Sequence, residues 1–170
     1  MIRVQLEDFD PAAECAALVK GNHKIGGVVS FVGLVRDAAP EGAIRAMTLE
    51  HYPGMTERKL AEIEAEAQAR WPLAASLIIH RYGRLEPGER IVLVATASAH
   101  RDAAFEACRF LVDWLKTKAP FWKLEETPQG EHWVAARAED GGAAERWTKP
   151  QGKTKGKPEG KAKRKPEAAA

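Results

Sequence analysis

Two rhythms of apolar residues run along this chain, one of period two and one of three to four, and they take turns irregularly. Ile2 to Leu6 alternates and predicts a first strand. Asp10 before Pro11 is an N-cap with proline at the first helical position, so a short helix should run to Lys20, where Gly21 and Asn22 stop it. Gly26 to Arg36 is β-branched and apolar through Val28, Val29, Phe31, Val32 and Val35, the composition of a buried strand. Asp37 to Gly42 mixes Pro, Gly and small residues and reads as a mobile loop. Ile44 to His51 is the next strand. Pro53-Gly54-Met55-Thr56 then leads into a helix with Leu60, Ile63, Ala67 and Trp71 at spacings of three and four. Leu73 to Tyr82 and Arg90 to Ser98 predict paired strands joined by the turn Glu86-Pro87-Gly88-Glu89. Asp102 to Lys118 carries the strongest helical stripe, Phe105, Cys108, Leu111, Val112 and Leu115, and Pro120 ends it. Phe121 to Glu126 and His132 to Ala136 predict a final hairpin around Gln129-Gly130, and Ala143 to Trp147 a short closing helix. No segment repeats. The pattern is α+β, a mixed or antiparallel sheet with flanking helices.

Composition narrows this to one domain and a tail. With 170 residues, 45% apolar and 29% charged, the chain has room for a single soluble domain with a proper core. The domain should span 1–148, because Trp147 is the last large apolar residue. The segment 149–170 holds seven Lys, one Arg and two Glu and neither aromatic nor β-branched aliphatic residues, so it should be disordered. That segment carries +6, and the whole chain carries +2, which leaves −4 on the body. The positive balance therefore belongs to the tail and is not a nucleic-acid signature of the domain. No run approaches the roughly 18 apolar residues of a membrane span, and Met1 to Glu7 lacks the layout of a signal peptide, so a cytoplasmic location is expected. Cys15 and Cys108 form neither a CxxC pair nor a zinc pattern and read as small apolar groups.

Three segments could carry chemistry. Ser98-Ala99-His100-Arg101-Asp102 lies where a strand meets the long helix; two cations at a helix N-terminus suit an anion site, or the segment is a cap with a solvated arginine. Lys116-Thr117-Lys118-Ala119-Pro120-Phe121-Trp122-Lys123 places one lysine at the end of the apolar stripe and another two residues past Phe121, on the same strand face. Among Trp114, Phe121 and Trp122, partial desolvation and a second cation both favour the neutral amine, which acts as base or nucleophile; alternatively both lysines snorkel from an aromatic patch. Phe31 to Asp37 delivers Arg36 from a strand end to a loop, for binding or for an ion pair with Asp37 or Glu50. Glu50-His51 offers too few ligands for a metal and reads as a turn into the helix.

Taken in order, Phe-x-Gly-x-Val-Arg at 31–36, Leu-Glu-His-Tyr-Pro-Gly-Met at 49–55, Ile-His-Arg-Tyr-Gly at 79–83, Ser-Ala-His-Arg at 98–101, Leu-Lys-Thr-Lys-Ala-Pro-Phe-Trp-Lys at 115–123 and Trp-Val-Ala-Ala-Arg at 133–137 closely resemble the MoaE family, the large, catalytic subunits of molybdopterin synthase. The resemblance runs from about Gly26 to Trp147. It implies an α/β-hammerhead type of α+β fold and a homodimer, each large subunit binding one small ubiquitin-like subunit to give a heterotetramer. The Gly-Gly C-terminus of that partner would carry a thiocarboxylate and deliver sulfur to cyclic pyranopterin monophosphate, forming the dithiolene of molybdopterin without any resident cofactor or metal. The resemblance further implies that Lys116 is central to catalysis and Lys123 supports it. Leu34, Val35, Arg36, His100, Arg101, Leu124 and Glu125 would join both lysines at the substrate, and Arg137 would reach a neighbouring subunit's pocket. At position 34 a lysine is common in the family, so Leu34 can contribute only through its backbone. The rival class, a nucleic-acid-binding module using the basic tail, is opposed by the −4 on the body.

Overall fold

The computed structural model describes residues 1–39, 42–134 and 146–148. Two four-stranded sheets make the frame. The first orders β1 (Ile2–Gln5), β6 (Leu73–Arg81), β8 (Arg90–Ser98) and β2 (Gly27–Leu34), with β1 parallel to β6 and the other pairs antiparallel. The second orders β10 (Gly130–Val134), β9 (Phe121–Thr127), β5 (Ala46–His51) and β7 (Gly83–Leu85), all antiparallel.

Helices cover both faces of the first sheet. α1 (Pro11–Val19) starts where the Asp10 carboxylate accepts from the backbone N–H groups of Ala12 and Ala13, as the Asp-Pro pair predicts. It covers the face that presents Leu77, Ile79, Leu93 and Ala95. α2 (Met55–Arg70) begins at Gly54, whose φ of +79° suits glycine and whose N–H donates to Glu57. Together with α3 (Arg101–Lys118) it covers the opposite face, where Ile78 and Val94 meet Leu60, Ile63, Phe110 and Leu111. Ile78 and Ile79 thus serve opposite cores, as strand alternation requires. Burying both faces makes β6 and β8 near-continuous apolar runs, which is why both are legible as strands.

Several expectations need correction. The segment read as a buried strand forms β2, but β2 is a sheet edge, so Val28, Phe31 and Leu34 remain exposed. The 37–42 segment, read as a mobile loop, begins a small ladder of β3 (Ala38–Ala39) with β4 (Gly42–Ala43). The connection between β6 and β8 is more than a turn, since it contributes β7 to the second sheet. On α3 the buried arc is rotated from the predicted stripe. Phe105 is 60% exposed while Phe110 is fully buried, because Trp71 and Trp147 pack on the Phe110 flank and nothing among the described residues covers the Phe105 flank. Trp147 is itself buried, and its indole N–H donates to Asp113 at 2.8 Å. The strand expected through Ala136, most of the closing helix and the 149–170 tail lie outside the described residues. Among the described residues no helix is long and apolar enough to cross a membrane.

Candidate active site

The edge of the first sheet, the last turns of α3 and the inner face of the second sheet enclose a cavity of about 750 Å³. Its apolar wall comes from Phe31, Val92, Leu115 and Phe121, with Met47 and Leu49 from β5. Among the described residues three cations line it: Arg36 just past β2, Lys116 from α3 and Lys123 from β9. Lys116 sits in the last turn of α3, where a cation complements the helix dipole. Lys123 follows Phe121 by two on β9 and faces Leu49 and Val134 across the ladder, so all four share the cavity face. Lys116 and Lys123, seven residues apart in sequence, line the same cavity because the chain turns at Ala119-Pro120 between the end of α3 and the start of β9.

Glu125, next on that face, is buried, and its carboxylate lies 2.7 Å from the Lys123 ammonium and 3.6 Å from His132 Nε2. A carboxylate so engaged holds Lys123 in place and does not attract an anionic ligand. Gly33 lines the mouth: a Cβ there would stand 2.7 Å from a Val92 methyl, so only glycine allows β2 to pass so close to β8 at the bulge between Gly33 and Leu34.

His80, within the Ile-His-Arg-Tyr-Gly motif at 79–83, takes a place that the sequence does not assign to it. Its ring stacks on Phe121 with centroids 3.7 Å apart and planes 14° off parallel, and it lines the cavity. Nδ1 is 2.8 Å from the Arg81 carbonyl, and burial holds the imidazole well below its ordinary value, at about 4. The available signal was a polar residue closing the apolar run Leu77-Ile78-Ile79 inside a strand.

The predicted site residues divide into groups. Leu34, Arg36, Lys116, Lys123 and Glu125 line the one cavity. Val35 is instead buried with Met47, Leu49 and Leu85, and Leu124 alternates to the opposite face of β9, so neither offers its side chain to the cavity. His100 and Arg101 are exposed at the far end of α3; fifteen residues at a rise of about 1.5 Å put Arg101 about 22 Å from Lys116 along the helix. Arg137 lies outside the described residues.

The aromatic surroundings also differ from expectation. Lys116 has Phe31 and Phe121 as cavity neighbours, whereas Trp114 packs on Phe110 under the Lys118 ammonium and Trp122 is exposed. His51 packs between Tyr82 and Phe121, and among the described residues no three His, Cys, Asp or Glu side chains gather as a set of metal ligands. Cys108 is buried and its thiol is pushed up to about 11 by burial, in keeping with a packing role.

A family model described as MoaE protein matches residues 4–118. The molybdopterin synthase catalytic subunit of Pseudomonas aeruginosa is 58% identical to this chain over 146 residues, 86% of this chain and 97% of that protein. Among solved structures, the molybdopterin biosynthesis MoaE protein from Burkholderia ambifaria matches with a TM-score of 0.76 at 53% identity, over 88% of this chain and 99% of that one. Molybdopterin synthase from Staphylococcus aureus matches with a TM-score of 0.73 at 30% identity, over 78% and 96%.

Proposed function

The chain belongs to the MoaE family, and from that membership we propose how its cavity is used. It is a molybdopterin synthase catalytic subunit, a sulfurtransferase of molybdenum cofactor biosynthesis. The observation that carries the mechanism is the convergence of Arg36, Lys116 and Lys123 on one cavity.

The substrate in this reading is cyclic pyranopterin monophosphate, and the sulfur donor is the C-terminal thiocarboxylate of a small ubiquitin-like subunit ending in Gly-Gly. Both reactants are anionic, and the reaction develops further negative charge on oxygen and sulfur. Cations held at fixed places in the cavity stabilise that charge with little reorganisation. Lys116 is the catalytic group, Lys123 is its supporting cation held by Glu125, and Arg36 binds the phosphate end. Because sulfur arrives with the partner in an activated acyl form, the chemistry draws on no resident cofactor. A cytoplasmic site of action belongs to the same reading.

A homodimer, and with two small subunits a heterotetramer, completes the site. About 22 Å of helix separates Arg101 from Lys116, so His100 and Arg101 can join a lysine cavity only when a neighbouring subunit supplies them. The exposed apolar flank of Val28, Phe31 and Phe105 supports such a contact. The test is co-purification with a Gly-Gly-ended small protein, then sulfur transfer from its thiocarboxylate to the pterin. Failure of the purified pair to form a dithiolene product would overturn this function.

A further inference from the structure

The cavity is rich in donors and poor in acceptors. Arg36, Lys116 and Lys123 are donors only. Among the described residues, and apart from the weak thioether of Met47, the acceptor side chains in its wall are Glu125 and His80. Both oxygens of Glu125 already face nitrogen donors, Lys123 and His132. His80 is different. A backbone carbonyl can only accept, so the 2.8 Å contact between Nδ1 and the Arg81 oxygen puts the hydrogen on Nδ1 and leaves the lone pair on Nε2. Stacking on Phe121 fixes the plane of the ring, and Nε2 is neither bonded within the described protein nor sealed away from the cavity.

We propose that His80 is a specificity-determining residue, whose Nε2 accepts a hydrogen bond from an N–H of the substrate's ring system while the cations hold its anionic end. The assignment rests on the functional reading above and deepens it. A neutral acceptor suits this position, because a second carboxylate would repel the phosphate and compete with it for the lysines. Burial supports the assignment, since it keeps the imidazole uncharged at neutral pH and Nε2 free to accept. A cavity armed with cations alone would take any small phosphorylated anion; the acceptor at His80 adds a requirement for a donor at a set place on the ring. Discrimination of this kind is strong because an unmatched buried polar group is left without a partner.

The test measures binding of the pterin monophosphate by calorimetry, and its turnover, for the full chain with its small subunit. His80→Phe keeps the stacked ring and removes the acceptor; His80→Gln restores an acceptor near the same place. The expected result is a rise in Kd and KM of about 10-fold or more for His80→Phe, recovery of most of it in His80→Gln, and little change in kcat. An analogue methylated at the recognised ring nitrogen should bind the wild type as weakly as the parent binds His80→Phe, and should lose nothing further on that variant. If the wild type converts the pterin and His80→Phe binds it equally tightly, this inference alone is overturned. If the wild type neither binds nor converts it, the functional reading falls and this inference with it.

Discussion

Acidification should destabilise this protein through His80, by an amount that one substitution isolates. In the unfolded chain this histidine takes up a proton near its ordinary 6.5, whereas in the folded protein burial delays protonation to about 4. Between those values the unfolded state holds more protons, so stability rises with pH across the window and is lost as pH falls from 6.5 towards 4. A gap of about 2.5 pH units at about 1.4 kcal/mol each gives a loss of about 3 kcal/mol, a large fraction of a stability of about 5–15 kcal/mol. Other groups titrate in or below this window, Asp8 and Glu89 among them, both held down by bonds to their surroundings. They are common to wild type and His80→Phe, so the difference between the two proteins isolates the imidazole. Loss of the bond to the Arg81 carbonyl lowers the stability of the variant by a constant, independent of pH. Urea unfolding at half-unit steps from pH 7.5 to 4 should therefore show two curves that converge on the acid side, the wild type falling by about 3 kcal/mol more. Parallel curves would refute the argument, because they would mean that His80 is charged, or free to become so, in the folded protein.

Three further outcomes are expected. Lys116→Ala should lower sulfur transfer on the order of 10²–10³-fold while moving stability by under about 1 kcal/mol, since the residue is exposed at the last turn of α3; single-turnover assays beside thermal melts check both. Trp147→Ala should cost about 3–5 kcal/mol and lower Tm by about 10 °C, because the ring is buried edge-on against Trp71 and Phe110 and its N–H holds Asp113. Mixed dimers of Lys116→Ala with a His100→Ala/Arg101→Ala chain should regain activity that neither parent has, since one of the two composite sites is then intact; activity no higher than that of the parents would place His100 and Arg101 outside the site.

Local chemistry was written into the sequence. Asp10-Pro11 starts α1 by a bond between neighbours, Pro120 ends α3 by removing a donor, and the period-two runs of β6 and β8 announce a sheet covered on both sides. The ordered motifs also carried the family, and with it Arg36, Lys116 and Lys123 as a set. What remained illegible depended on which neighbour arrives from far along the chain. A run such as Val28 to Val35 looks the same whether its strand lies inside a sheet or at its edge; β2 is an edge because β1 takes the other flank of the β6–β8 pair. Phe105 and Phe110 are alike as residues, and only the approach of Trp71 and Trp147 decides which one is buried. His80 gained its place because β6 carries it under Phe121, more than forty residues later, and its neutrality because that contact excludes water. Propensity and capping act over a few residues and can be read along the chain; burial, and the electrostatics that follow from it, are set by tertiary packing alone.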